Sequence, residues 1–431
     1  MGYTSPSFLL LGVVFKYILP KVYIPTIFSW INIVALSLSS IFLYRVCKKF
    51  ISPKLSLFVV MVFALNLSRT IPEAMETPIF LLVMFIFLDT LFSEKYYWSS
   101  VFLSLALLTR PDAGLIAVLA LIFWWQKVGF QKTVKLVSVC IAVALPWLIF
   151  STFYYGSFIP QSLAAKLHVN DIINQSKYQA FKVQLSDMSR IYWGKIFDPD
   201  NIPLQVVFNL TPLLVLIFFG IKKYLNKDNW IIFAIPVLYF VSFSISNPVM
   251  WPWYISQVQP FWIIFSLFGL FYLLNKTEKV WLKVIISLLI ISGPFYWWAN
   301  NIVSQNQGTK LALFKIGTYL NENMKPGETI GTNSLGVVGF TVDAYVFDFF
   351  GLMNYDSVAF YPIKDPCLDK SVQFVIPPDL VKFAMVDWIV TGGESEFVKC
   401  FREGKWFKKN YEAVYVESLG YTGNIWKLKK R

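Results

Sequence analysis

The chain has 431 residues, of which 56% are hydrophobic, 18% aromatic and only 15% charged, and 38 Lys and Arg against 25 Asp and Glu leave a net charge of +13. Water-soluble chains carry about 25% charged residues, so the composition excludes a purely soluble enzyme, a disordered chain and a collagen-like one. Four Cys without a Cys-x-x-Cys or Cys/His cluster exclude a disulfide-dense scaffold and a structural zinc, and the lone His168 excludes a multi-His metal site or His-based triad.

The first apolar stretch, Phe8–Leu19, is too short to span a bilayer and no signal peptide precedes it. Ten apolar runs follow, near 24–44, 55–69, 77–92, 97–109, 113–126, 134–154, 204–221, 230–246, 258–274 and 281–298, and they read as membrane crossings. The pair at 97–109 and 113–126 is short. Lys95 and Lys127 flank it and Thr109-Arg110-Pro111-Asp112 interrupts it, so it reads as a helical hairpin that returns the chain to the side it left. Short loops on one side carry fourteen Lys and Arg, while those on the other carry only Arg69 and Arg110. The basic side is therefore expected to be cytoplasmic, and most of the +13 is a topology signal. No nucleic-acid partner is implied. The far side then holds the 69–76 loop, the 109–113 turn, the 155–203 segment, the 247–257 loop and everything after residue 298.

From Ala299 the composition becomes that of a soluble domain. Thr309–Asn323 has helical periodicity, Lys325-Pro326-Gly327 is a turn, and Thr329–Thr332, Ala344–Phe347, Trp388–Thr391, Ala413–Glu417 and Ile425–Leu428 read as strands. The expected fold is mainly α: a polytopic helical membrane domain of about ten crossings over 1–298, estimated at about 20 residues each, and a small extracytoplasmic α/β domain over 299–431. Cys367 and Cys400 both fall in that outer domain, on the oxidising side, and are candidates for a disulfide.

Ionisable groups at membrane depth are functional candidates. The outer side gathers Arg69, Glu73 and Glu76 before one helix, Arg110 and Asp112 at the hairpin vertex, Lys166 after a span, and Trp253 with Tyr254 in a late loop. Each has a plainer structural reading: helix capping by Glu73 or Glu76, an Arg110–Asp112 pair that only holds the turn, snorkelling by Lys166, and an interfacial aromatic belt. Together they suggest a site for an anionic ligand with an apolar part, such as a lipid-linked phosphate, with Arg69, Arg110 and Lys166 as phosphate contacts. Asp198-Pro199-Asp200 resembles a metal motif for nucleotide sugars, but no Gly-rich phosphate loop accompanies it.

Several segments, in order along nearly the whole chain, resemble the bacterial polytopic glycosyltransferases of the GT-C fold, especially the mycobacterial arabinofuranosyltransferase-like group. These are Gly2-Tyr3-Thr4-Ser5-Pro6, Ala74-Met75-Glu76-Thr77, Leu107-Leu108-Thr109-Arg110-Pro111-Asp112, Tyr155-Gly156 with Pro160 and Ala165-Lys166, Trp253-Tyr254, and Asp348-Phe349-Phe350-Gly351-Leu352. The resemblance implies transfer of a sugar from a polyprenyl-phosphate donor to a hydroxyl of a glycan, lipid or protein acceptor, outside the cytoplasmic membrane. It implies Arg110, Lys166 and Arg69 at the donor phosphate and Glu76, Asp112, Trp253 and Tyr254 lining the pocket. The family carries a helix and an Asp-bearing loop before its Gly-Tyr-Thr-Ser-Pro segment, so the resemblance places the catalytic Asp upstream of Met1 and assigns no base within the chain. No cofactor is expected, a divalent cation at the outer carboxylates being the open alternative. The competing readings are a carrier or flippase of lipid-linked sugars and a non-catalytic envelope assembly factor.

Overall fold

A computed structural model of the chain describes residues 5–70, 75–162, 165, 178–192, 210–246, 250, 252–304, 307–333, 335–361, 363, 375–391, 399–414 and 424–429. The protein is mainly helical, with a small sheet confined to its C-terminal part. Contacts divide it into two compact units, one of Thr4–Tyr154 with Lys177–Ser304, the other holding Tyr155–Ser176 and Gln305–Arg431.

The first unit is built from α1 (Pro6–Ile18), α2 (Ile24–Cys47), α3 (Pro53–Thr70), α4 (Thr77–Phe92), α5 (Tyr96–Thr109), α6 (Gly114–Tyr155), α7 (Gln179–Ser189), α8 (Thr211–Tyr224), α9 (Trp230–Ser246), α10 (Pro252–Ile255), α11 (Gln259–Leu274) and α12 (Val280–Ser304). Prolines occupy the first turn of α1, α2, α4, α8 and α11, where the missing N–H costs nothing and the fixed φ favours a helical start. Inside these apolar helices many hydroxyls are satisfied locally: Ser39 and Ser56 donate to Ala35 O (2.7 Å) and Ser52 O (3.0 Å), one turn back.

Two helical stretches are long and apolar enough to cross a membrane by length and composition, α2 with 24 residues and Pro111–Tyr155 with 45. Shorter apolar helices include α1, α4, α5, α9 and α11. The 45-residue stretch is not one rod. Gly129 breaks it at φ 74° and ψ 171°, a conformation glycine adopts without the steric penalty of a Cβ. Contacts give the direction of each half. Phe123 lies edge-on to Phe92, at the end of α4, so the first half runs back from the α5 turn. Lys132 then sits over the Tyr96 ring and Ser104 donates to Cys140 O at 2.7 Å, so the second half runs parallel to α5. The chain therefore reverses at Gly129, between the runs read from sequence as 113–126 and 134–154.

The same contacts define the two ends of this unit. At one end Arg45 and Lys49 pair with the buried Asp89 at 2.8 and 3.4 Å, Lys127 pairs with Asp228, and Phe123 meets Trp230. The start of α4 and the turn after α5 lie at the other.

Among the described glycines, those that bring one backbone closest to another join α8 to α11. A Cβ built on Gly220 would stand 2.1 Å from Phe265 O, and one on Gly269 would stand 1.8 Å from Leu216 O. These two glycines let the helices touch, with Phe219 against Tyr272 and Tyr224 against Phe268 on either side.

The second unit carries α13 (Gln307–Asn323), β1 (Thr329–Thr332), α14 (Leu335–Thr341), β2 (Tyr345–Asp348), α15 (Tyr355–Val358), α16 (Pro378–Ala384), β3 (Trp388–Thr391), α17 (Lys399–Glu403), α18 (Lys405–Asn410), β4 (Tyr411–Val414) and β5 (Asn424–Leu428). The sheet order is β2-β1-β3-β5-β4, with β1 parallel to β2 and β3, and β5 antiparallel to β3 and β4. Alternation along the strands supplies both faces. Trp388, Val390 and Ile425 pack with Ile316, Leu320 and Val338 of α13 and α14, whereas Ile389 and Trp426 pack with Leu380, Val381, Phe401 and Phe407 of the later helices.

Thr329–Thr332 and Trp388–Thr391 are strands as read, β2 lies one residue later than Ala344–Phe347, β5 starts one residue earlier at Asn424, and β4 begins at Tyr411 rather than Ala413, with 415–417 outside the described residues. Tyr411 is buried, its hydroxyl donates to Val386 O at 2.9 Å and its ring stacks on Phe407. Those contacts draw the strand two residues upstream of its apolar pattern.

Gly269→Leu is expected to separate α8 from α11 and lower the thermal midpoint of the detergent-purified protein, whereas Gly336→Ala, where a Cβ meets nothing within 4 Å, leaves it within about a degree, since surface changes stay near ±0.5 kcal/mol.

Candidate functional site

Arg110 follows α5 and precedes Pro111, and both facts shape it. The residue before a proline is pushed to extended backbone, and Arg110 has φ −148° and ψ 128° while its N–H still closes the helix on Ala106 O at 2.8 Å. Pro111–Ala113 forms one 3₁₀ turn before α6 starts. This swings the Arg110 side chain into the bundle, where it is 5% exposed.

An arginine at that depth needs partners, and this one has them. Its Nε and Nη2 donate to Asp112 Oδ1 and Oδ2, both at 3.1 Å, a two-pronged pair that the turn makes possible. Nη1 donates to Glu76 Oε1 at 2.8 Å and to Thr77 Oγ1 at 3.5 Å. The Phe80 and Tyr254 rings lie 5.9 and 5.6 Å from the guanidinium carbon. Burial alone lowers the guanidinium pKa; the Asp112 and Glu76 charges outweigh it and raise the pKa above its ordinary value, so the charge is permanent.

The carboxylates are held in turn. Glu76 occupies the N-cap position of α4, where its backbone O accepts from Phe80 N at 3.0 Å and its side chain makes no capping bond. Gln257, 1% exposed between α10 and α11, donates Nε2 to Asp112 Oδ2 at 2.7 Å, and the buried Tyr239 of α9 donates to Asp112 O at 2.8 Å. The Gln257 Oε1 is buried and accepts no hydrogen bond among the described residues. Four segments far apart in sequence, 76–80, 110–112, 239 and 254–257, thus meet at the end opposite the Asp89 cluster. The three ionised groups sum to −1. Both carboxylates are more open than the arginine, at 16% and 17% exposed against 5%.

Of the residues singled out in the sequence, the structure brings together Glu76, Arg110, Asp112 and Tyr254. Arg69 lies on α3, but its side chain, that of Trp253, and Lys166 fall outside the described residues. So do Cys367, the Cys400 side chain and Asp198-Pro199-Asp200. Gln257, Tyr239, Thr77 and Phe80 were not singled out. Tyr239 and Gln257 do stand out as polar interruptions in or beside apolar runs, which is the signal that marks them.

The second unit joins two other motifs. Asp348 ends β2, is fully buried, and its Oδ1 and Oδ2 accept from the backbone N–H groups of Phe350 (2.8 Å) and Met353 (2.7 Å). Ser357 Oγ donates to Asp348 O at 2.7 Å and Gln161 Nε2 donates to Gly351 O at 3.3 Å. Segment 155–162 therefore docks on the Asp348–Gly351 turn. Burial pushes the Asp348 carboxyl above its ordinary range, against the opposing backbone N–H groups of Met353, Phe350, Leu352 and Gly351.

A cavity of about 270 Å³ in this unit is lined by Glu328, Asp387, Lys427 and Lys429 among others. Its carboxylates already serve the fold: Glu328 accepts from Trp388 Nε1 at 2.7 Å, and Asp387 accepts from Thr329 N at 2.8 Å and Oγ1 at 3.0 Å. Among the described residues no group of three or more His, Cys, Asp or Glu could hold a metal ion.

A family model described as a domain of unknown function, DUF8728, matches residues 300–428. The match starts within α12 and ends at the last residue of β5, so it takes in the whole sheet. No curated protein matches the chain.

Arg110→Met leaves the part-buried Glu76 and Asp112 without their cation and is expected to cost about 1–3 kcal/mol, less than a fully buried pair would, read as a lowered thermal midpoint in detergent. Arg110→Lys keeps the charge but not the two-pronged geometry and should fall between wild type and Met. Equal midpoints for all three would show that the cluster contributes nothing to the fold.

For Asp348, a carboxyl whose pKa is raised on folding contributes stability that is full below its unfolded pKa, about 3.9, and is lost as pH rises through the folded value. Asp348→Asn removes that dependence, and it also turns an N–H toward a backbone N–H, at about 1–3 kcal/mol for the unmet donor. Protease susceptibility of the second unit across pH 4–8 measures both.

Proposed function

We propose that this protein is an integral-membrane glycosyltransferase that moves a sugar from a polyprenyl-phosphate donor to a hydroxyl of a glycan, lipid or protein on the extracytoplasmic face. The observation that carries the reading is the buried Arg110–Glu76–Asp112 cluster, set in an apolar helical unit at the end opposite the Arg45–Lys49–Asp89 cluster. On this reading about ten helical segments cross the cytoplasmic membrane, each needing about 20 apolar residues or a tilted or thinned bilayer, and the basic end is cytoplasmic. The domain over 299–431 is then extracytoplasmic.

Outward apolar side chains favour lipid as the surrounding medium. Ile33, Val34 and Ile41 on α2, Ile141, Leu145 and Ile149 on α6, and Ile285, Leu288 and Leu289 on α12 are all exposed. In water such contiguous faces drive aggregation.

In the transfer itself the bond from the sugar C1 to the phosphate oxygen breaks as the acceptor oxygen bonds to C1. The acceptor proton passes to a carboxylate and the polyprenyl phosphate leaves as an anion. Arg110 is a positioning residue here, because its donors are committed to Glu76 and Asp112 and the local charge of −1 disfavours a phosphate. We assign the phosphate to Lys166 and Arg69. Trp253 and Tyr254 pack on the sugar or lipid.

The experiment is a turnover assay on purified protein in detergent with radiolabelled undecaprenyl-phosphate sugars and candidate glycan acceptors. Labelled glycan, or slow hydrolysis of the donor in its absence, is expected. Saturable binding with no turnover under any acceptor overturns the enzyme reading in favour of a carrier.

A further inference from the structure

The Arg110 cluster contains one polar atom that the fold leaves unused. Gln257 Nε2 is tied to Asp112 Oδ2 at 2.7 Å, and a carboxylate accepts only, so the orientation of the amide is fixed by its neighbour. Its Oε1 consequently points away from Asp112, in a residue 1% exposed, with nothing among the described residues donating to it. A buried acceptor left unmet costs about 1–3 kcal/mol. Such an acceptor is met by an internal water or by a donor that arrives with a ligand, and its place in a charged cluster favours the ligand.

The chemistry around it defines that donor. Glu76 uses Oε1 on Arg110, and its Oε2 carries no hydrogen bond among the described residues. The unused capacity is therefore all acceptor, Arg110, Glu76 and Asp112 sum to −1, and the Tyr254 and Phe80 rings flank the Arg110 guanidinium to which Glu76 and Asp112 are bonded. A phosphate brings only acceptors and negative charge, and it fits none of this. A sugar ring brings several O–H donors and an apolar C–H face that rests on aromatic rings.

We infer that Gln257 Oε1 and Glu76 Oε2 form a hydroxyl-reading site that holds the transferred sugar, with Asp112 and Arg110 fixing the two acceptors in place. This deepens the glycosyltransferase reading and rests on it. The site selects which sugar is transferred, while the lipid phosphate binds elsewhere. Gln257 is a specificity residue, and Asp112 acts through it as a positioning residue.

The test uses the intact 431-residue chain in detergent and measures binding of bare undecaprenyl phosphate and of undecaprenyl phosphate carrying glucose, mannose, galactose or arabinose. Wild type is expected to bind at least one sugar-bearing lipid 10-fold or more tighter than the bare lipid. Gln257→Leu should lose that 10-fold while binding the bare lipid unchanged. Should Gln257→Leu fail to fold, wild type alone decides: deoxy versions of the preferred sugar should bind at least 10-fold more weakly when the missing hydroxyl is the one read. If wild type binds the bare lipid as tightly as every sugar-bearing one, or Gln257→Leu keeps the sugar preference, the inference falls and the lipid-phosphate reading stands; Oε1 then holds only an internal water. If no lipid binds, both fall together.

Discussion

An arginine buried in an apolar helical unit constrains everything around it. Arg110 cannot shed its proton, and it cannot stay at 5% exposure without carboxylates within reach. That requirement brings the start of α4 to the end of α5, because only there does Glu76 meet Nη1. It also requires Pro111, since the extended backbone before a proline and the single 3₁₀ turn after it let Asp112 face back on the residue two before it. Asp112 in turn recruits Tyr239 and Gln257, which ties α9 and the α10–α11 turn to the same point. The helical unit is thus pinned at one end by a polar knot. At the other end Asp89 plays the converse part, one buried carboxylate held between Arg45 and Lys49.

Much of this was legible in the chain. The apolar runs place the helices because a helix in an apolar setting needs little more than length, apolar side chains and a proline at its start. The interruption Thr109-Arg110-Pro111-Asp112 marked the hairpin vertex for the same local reason, and the reversal near residue 129 was signalled by Lys127 and Lys132. The strands followed from their apolar runs, with shifts of one residue at β2 and at the start of β5 and of two at the start of β4, where Tyr411 is held by a hydroxyl bond to Val386 O and a stack on Phe407. The bond to Val386 is a tertiary contact across 25 residues, and no short window of sequence contains it.

The composition of the cluster was less legible. The plain reading of Arg110 and Asp112 as a turn-holding pair describes their geometry well, but it omits Glu76, which arrives from 34 residues away, and Gln257, which arrives from 145 residues beyond Asp112. Charge counting by residue type placed Arg110 among phosphate ligands. Once two carboxylates are bonded to it, the sign of the local field reverses. A cation read from sequence is only as available as the anions its fold leaves unpaired, and that accounting needs the third dimension.

The second unit makes the same point from the opposite direction. In the sequence Asp348 opens the segment Asp348-Phe349-Phe350-Gly351-Leu352, one of those that carry the family resemblance. In the fold it is sealed, and both of its oxygens are spent on the backbone N–H groups of the loop that follows β2. Its work is to shape that loop, whose Gly351 carbonyl receives Gln161 from the segment after α6. Asp348 and Asp112 are both bonded to groups a few residues away, yet only Asp112 retains exposure and a bonded glutamine with an unmet oxygen. Exposure combined with unmet capacity separates a carboxylate that can meet a ligand from one that holds a turn, and among the carboxylates described in detail that combination occurs at the Glu76–Asp112–Gln257 cluster.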